Sequence, residues 1–218
     1  MSENSMSQKL EQVCRVEPLP QEYLGYAASL LYQSYHDDPL FMEIFNAENA
    51  DYDKRLRMAI REELNVFWQA NEPTIGIFVG NQLFGVACVV CPGFGLSVGR
   101  FWHWRLKMLM TVGFVSTRQM IEKEGKLKAA MPAKRYHMLA YMAVHPNHQQ
   151  HGLGNMLIKA VDEIVDQENR SEGIGVYVTL NKYLDFFNND NYKKVSDVNV
   201  GYVKGELLFR RSGASTPQ

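Results

Sequence analysis

LAYMAVHPNHQQHGLGNMLIKAV, residues 139–161, is the stretch whose reading decides the fold. It starts apolar, passes His145, His148 and His151 at intervals of three, and reaches Gly152-Leu153-Gly154. Apolar residues at helical spacing follow: Met156, Leu157, Ala160 and Val161. Residues 137–144 predict a strand buried on both faces. Residues 154–168 predict an amphipathic helix, its stripe extended by Ile164 and Val165. Between them lies a strand-to-helix turn. The first N–H groups of a helix lack partners within it, and with the helix dipole they form a site for an anion, usually phosphate. Gly152 and Gly154 suit this because no Cβ blocks close approach to the main chain; a plain tight turn would use them equally.

Three phosphate-binding patterns compete. A dinucleotide fingerprint GxGxxG needs a third glycine where Leu157 stands, and a GxxxxGK[ST] loop is absent. The pattern [QR]xxGx[GA] is met by Gln149-Gln150-His151-Gly152-Leu153-Gly154. The histidines also allow a metal site, but His145 and His148 lie either side of Pro146 and nothing nearby supplies a fourth ligand, so no metal is expected. Inside a phosphate loop, His151 adds a titratable member.

Outward from this stretch the elements can be placed coarsely. A short strand from Gln12 stops at Pro18, and a helix spans 22–35. Asp37-Asp38-Pro39 breaks it, with Asp38 placed to cap a short following turn. A helix over 52–70 has Leu56, Ile60, Leu64 and Phe67 on one face. Residues 74–90 predict a hairpin joined at Gly80-Asn81-Gln82. One or two basic helices cover 97–129, a strand 174–180, a short helix 181–189, and two strands 194–200 and 202–210. With no linker or repeat, this order implies one α/β domain over 1–211 on a mixed sheet, and a mobile tail over 212–218.

The chain has 218 residues, a net charge of −1 and 46% hydrophobic residues. That charge gives no global reason to expect nucleic acid or an anionic membrane. The first thirty residues have no basic segment leading into an apolar run, and no run of about 18 apolar residues exists, so a cytoplasmic protein is expected. Three cysteines form no closed disulfide framework. Cys88 and Cys91 would face opposite sides of a strand and read as structural. The segment RFWHWRLK, residues 100–107, suggests RNA or membrane contact by composition, but its helical spacing reads better as a lid packed on the core.

The Gln149–Gly154 pattern resembles the coenzyme A pyrophosphate loop of the GCN5-related N-acetyltransferase (GNAT) superfamily, and residues 139–161 resemble that family's strand–loop–helix throughout. Asn181, followed by Phe186-Phe187-Asn188-Asn189-Asp190-Asn191-Tyr192, is similar to its second signature, an Asn and then FYxxxGF. Asp37-Asp38-Pro39-Leu40-Phe41 resembles a subgroup that includes puromycin-type antibiotic acetyltransferases. The resemblance implies an α/β fold with a mixed, mostly antiparallel sheet, splayed between its fourth and fifth strands, with helices on both faces. The pantetheine arm of acetyl-CoA would enter that gap as a pseudo-strand. Met142, Ala143 and Val144 would bond the arm and polarise the thioester. Gln149, Gln150, His151, Gly152, Leu153, Gly154 and Asn155 would surround the pyrophosphate. Asn181 and Phe187 would lie beside the coenzyme, although Asn181 reads equally as a helix cap. The implied partner is a small-molecule amine, acetylated by a monomer or homodimer without metal.

Direct transfer to an amine requires an ammonium to lose a proton, which costs roughly 4–5 kcal/mol near neutral pH. A general base is therefore expected, and an acid for the leaving thiolate. The family's acidic Tyr is replaced by Phe187, which carries no proton, and its Gly by Asn191. Tyr183, four residues earlier on the same helical face, offers a hydroxyl, as does Tyr192; the thiolate can also leave unaided. On the strand before the loop the polar groups are His137 and Tyr141. Asp37, Asp38 and Glu43 sit where the subgroup lines its acceptor site and would favour a cationic acceptor, although adjacent acids before Pro also read as a solvated cap. Phe187 motivates a second reading, a catalytically silent acyl-CoA-binding module.

Overall fold

The computed structural model describes residues 14–93, 113–187 and 191–213; the segment 100–107 and most of the tail lie outside the described residues. Strand β1 (Cys14–Pro18) leads through a single 3₁₀ turn to helices α1 (Leu24–Tyr35), α2 (Pro39–Phe45) and α3 (Tyr52–Ala70). The hairpin β2 (Thr74–Val79) and β3 (Gln82–Val90) follows, then α4 (Phe114–Ala130), β4 (His137–Val144), α5 (Leu153–Gln167) and β5 (Gly173–Val178). Helix α6 (Asn181–Phe187) and strands β6 (Lys193–Val200) and β7 (Val203–Arg211) complete the order. The chain is thus a single α/β domain on a seven-stranded sheet ordered β1-β2-β3-β4-β5-β7-β6. Every neighbouring pair is antiparallel except β4 and β5.

Local chemistry accounts for most of these elements. In α3, Leu56, Ile60, Leu64 and Phe67 bury one face against α1 and α2. The turn expected after Asp38 is a true helix: Pro39 occupies its first position, and Asp38 Oδ1 accepts from the Leu40 N–H at 2.9 Å. The hairpin closes over Gly80-Asn81, with Gly80 at φ +58°. Helices α1–α3 cover one face of the sheet and α5 the other. No helix among the described residues is long and apolar enough to cross a membrane.

Strand β4 departs from the sequence expectation. Cys88 faces Tyr141 across the sheet, yet the next residue of β3, Val89, faces Leu139. Ala140 is therefore an extra residue, a β-bulge, which bends its strand and interrupts the ladder. Pairing of β4 with β5 covers only His137↔Ile174, Met138↔Gly175 and Leu139↔Val176, and it ends where the bulge begins. Beyond it the two strands part. The bulge also changes faces: Leu139 packs with α5, while Tyr141 and Ala143 pack with α1–α3. Met138, Ala140, Met142 and Val144 are half-buried, so the strand is not covered on both faces.

Behind the sheet, Arg210 of β7, 1% exposed, locks β7 to α5. Its Nε lies 2.8 Å from Asp162 Oδ1 and its Nη2 3.1 Å from Asp166 Oδ1. The buried Tyr192 hydroxyl donates to Asp162 as well, at 2.7 Å. Removing one partner of a buried ion pair leaves the other charge without compensation. Arg210→Leu should lower the unfolding free energy by about 3–5 kcal/mol in urea titration. Adding Asp162→Leu should recover part of that loss.

Candidate active site

The gap between β4 and β5 opens into a cavity of about 990 Å³. It runs from the loop after β4, past the bulge, to the wall made by α3 and α4. Met142, Ala143, Val144, Gln149, Gln150, Gly152, Gly154 and Asn155 line it, and so do Phe187 and Tyr183, whereas the side chains of His151 and Leu153 do not.

The loop end has an unusual backbone. Gln150 has φ +63° and Gly152 φ +82°, both left-handed, a conformation uncommon for a residue other than glycine. Strain of this kind gathers at functional sites. The first helical bond of α5 runs from the Met156 N–H to Gly152 O. The N–H groups of Leu153, Gly154 and Asn155 precede it, and no side chain caps this end. Leu153 contributes only backbone here, because its side chain is buried in the core. Gly154 is also needed for packing: a Cβ would stand 3.2 Å from the Phe186 ring of α6.

Past the bulge, side chains close the open edge of β4. The Met142 N–H donates to the Tyr35 hydroxyl at 3.0 Å, and that hydroxyl donates to Met142 O at 3.2 Å. Gln149 Nε2 donates to Val144 O at 3.1 Å. The backbone groups expected to receive an extended arm are therefore held by Tyr35, from α1, and by the loop itself.

At the far end, Glu63 of α3 faces the cavity and accepts from the Tyr141 hydroxyl at 2.8 Å. Val66, Phe67 and Leu127 form the same wall. Glu63 is half-buried in this wall. Burial accordingly pushes its pKa up, the Lys123 ammonium across from it on α4 and the Tyr141 hydroxyl pull it down, and Glu124 opposes them. A carboxyl raised in this way, in a cavity, has the character of a general base. Glu63 was not picked out from the sequence, yet it left a signal there. It lies seven residues after Leu56, three after Ile60 and four before Phe67, in the middle of an apolar stripe.

With the geometry in hand, comparison with known proteins decides the family. Residues 41–187 match the model of the acetyltransferase (GNAT) family. The chain belongs to that family. No curated protein sequence matches it. Among solved structures it resembles a Corynebacterium glutamicum protein described as histone acetyltransferase HPA2 and related acetyltransferase, with TM-score 0.70 and 12% identity over 94% of this chain and 99% of that one. A PaiA N-acetyltransferase from Thermoplasma acidophilum in complex with coenzyme A has TM-score 0.55 and 12% identity, over 91% and 98%. The C-terminal condensation domain of Ebony in complex with β-alanyl-dopamine has TM-score 0.59 and 10% identity, over 91% and 98%. At these identities the likeness shows the fold.

Other residues singled out in the GNAT sequence lie elsewhere. His137 is 1% exposed, turned toward the α5 side by the bulge, with Nδ1 2.8 Å from Ser171 Oγ; burial pushes its pKa down. It does not line the cavity. Tyr192 is buried on Asp162, away from the gap. Asp38 lines the cavity, but Leu40 N–H and the Thr179 hydroxyl, at 2.6 Å, occupy its two oxygens. Asp37 points outward beside His36, its side chain 90% exposed, and Glu43 packs under Gly201 of the β6–β7 turn; neither reaches the cavity. The helix end at Asp37 and the direction of α2 carry them away. Asn181 is exposed at the start of α6, outside the lining.

Each of the three histidines has a local partner, and the rings of His145 and His148 lie 5.3 Å apart. His145 Nδ1 accepts from Asn147 N–H, His148 stacks on Phe84 at 4.0 Å, and His151 Nδ1 lies 2.7 Å from Gln149 O. Cys88 and Cys91 are free thiols, pushed up to about 12, chiefly by burial.

The balance on Glu63 gives a pH test. A carboxyl acts as a base only when ionised, so any activity that depends on Glu63 falls as pH drops through its raised pKa. Lys123→Met removes the strongest influence favouring the ionised form. The acidic limb of kcat/KM against pH should therefore move to higher pH in that variant, and an unmoved limb would assign it to another group.

Proposed function

We propose that the protein is an acetyl-CoA-dependent N-acetyltransferase that moves an acetyl group directly to a primary amine of a small molecule. The observation that carries this reading is the open edge of β4, which runs from the glycine loop to the Glu63–Tyr141 pair within one cavity. The loop supplies N–H groups and a helix dipole for the pyrophosphate. The gap beyond the bulge admits an extended arm, and Glu63 takes the proton that an ammonium must lose before it attacks. A carboxylate in an apolar wall also favours a cationic acceptor. Asp38, Leu40 and Phe41, from the stretch similar to puromycin-type enzymes, line this cavity too, in keeping with a small acceptor.

Phe187, buried against Phe186 and Tyr192, brings no proton. Tyr183 lines the cavity and is 39% exposed, which leaves it as the hydroxyl on α6 able to meet a leaving thiolate. The alternative is a catalytically silent acyl-CoA-binding module. Glu63 favours the enzyme, because binding of the coenzyme alone gives no reason to hold a partly desolvated carboxylate at the far end of the cavity.

Calorimetric titration with acetyl-CoA, then thiol release with a panel of primary amines, tests the proposal. Binding and amine-dependent release are expected. Glu63→Gln should lower kcat by about 10²–10⁴-fold with little change in acetyl-CoA affinity. Binding without release for any amine would favour the silent module, and no binding at millimolar coenzyme would defeat both readings.

A further inference from the structure

In a bare splayed edge the Met142 N–H would be free to polarise a thioester. Here it is not free, because it donates to Tyr35. Resting on the acetyltransferase reading, we propose that the Tyr35 hydroxyl, backed by the Met142 N–H, donates the hydrogen bond that stabilises the thioester carbonyl oxygen as it becomes negative.

A phenol has one proton and accepts through its oxygen. By accepting from Met142 N–H at 3.0 Å, Tyr35 keeps its position while its own proton rests on Met142 O at 3.2 Å. Turning that proton to a carbonyl oxygen in the cavity exchanges one acceptor for another without moving the ring. The resulting chain, from N–H to O–H to carbonyl oxygen, polarises each bond in turn. The ring is held in place by Phe41, with centroids 5.1 Å apart, and by Tyr141, edge-on at 5.7 Å. The Tyr141 hydroxyl is bonded to Glu63. One aromatic pair thus joins the carbonyl donor to the base.

Burial raises the Tyr35 pKa, with the nearby Asp38 charge adding to it. The phenol therefore stays protonated through the working range and holds its proton. An ordinary thiol titrates near ~8.5, so passing the Tyr35 proton to a thiolate would be uphill. Tyr35 is a hydrogen-bond donor and not a general acid.

Glu63 removes a proton from the ammonium. The amine nitrogen then bonds to the acetyl carbon, and the carbonyl π pair moves onto the oxygen held by Tyr35. The carbonyl re-forms, the C–S bond breaks, and sulfur leaves with the bonding pair. The second proton lost from nitrogen reaches sulfur through water or by relay through the Tyr183 hydroxyl, which gains one proton as it passes one on, and Glu63 returns its own to solvent. Tyr35 ends as it began.

Tyr35→Phe keeps the ring and removes the donor. The infrared band of acetyl-CoA labelled with ¹³C at the thioester carbonyl, bound to wild type and variant, reads the hydrogen bond without any acceptor amine. Wild type is expected to shift the band to lower frequency than in water, and the variant to lose much of that shift. Its Kd for coenzyme A lacking the acetyl group should stay within about twofold, and kcat should fall about 10²–10³-fold, the usual effect of deleting one such donor. An identical band in both proteins overturns the inference. So does tighter coenzyme binding by the variant with kcat intact, which would make the hydroxyl only a plug on the β4 edge. Failure of wild type to bind acetyl-CoA removes the acetyltransferase reading, and this inference with it. Binding with an unmoved band removes this inference alone.

Discussion

One extra residue in one strand organises the site. With Ala140 bulged out, β4 cannot stay in register with β5, and the parallel ladder stops after Leu139. Three consequences follow from that single constraint. The sheet opens, the backbone of residues 142–144 faces a cavity instead of a strand, and the side chains after the bulge change faces. Glu63 has a phenol to bond because Tyr141 turns toward α3, and His137 is carried to the other side.

An opened sheet edge presents unpaired polar groups, which are costly unless satisfied. The protein meets this within its own chain, with the Tyr35 hydroxyl on Met142 and the Gln149 amide on Val144. The caps are single side chains on a wide cavity, so the edge stays accessible to a ligand in a way that a paired strand would not. The same aromatic side chains pack around the α3 end of the cavity, where burial raises the Glu63 pKa and the Tyr141 hydroxyl opposes the rise. Architecture and acid–base chemistry are therefore coupled through Tyr35 and Tyr141.

Much of this was legible in the sequence. The alternation of elements, the glycine loop and its resemblance to the GNAT family pointed to the fold and the family, because turn glycines and apolar periodicity act locally. The end of the cavity at α3 was far less legible. His137 and Tyr141 are four residues apart, which in a regular strand means one face; the bulge separates them. Asp37 and Asp38 are adjacent and equally acidic, yet a helix end exposes the first while the cavity receives the second.

By itself the sequence determined the helix and strand order, the loop that opens α5, the cap at Asp38 and the amphipathic face of α3, all products of short-range spacing. Only the tertiary structure decided that Glu63 meets Tyr141, that Tyr35 reaches Met142, and that Asp37, Glu43 and Asn181 miss the cavity. Those contacts join residues 78 and 107 positions apart. They depend on where a bulge ends one ladder, a long-range event for which the one-dimensional pattern carries no period.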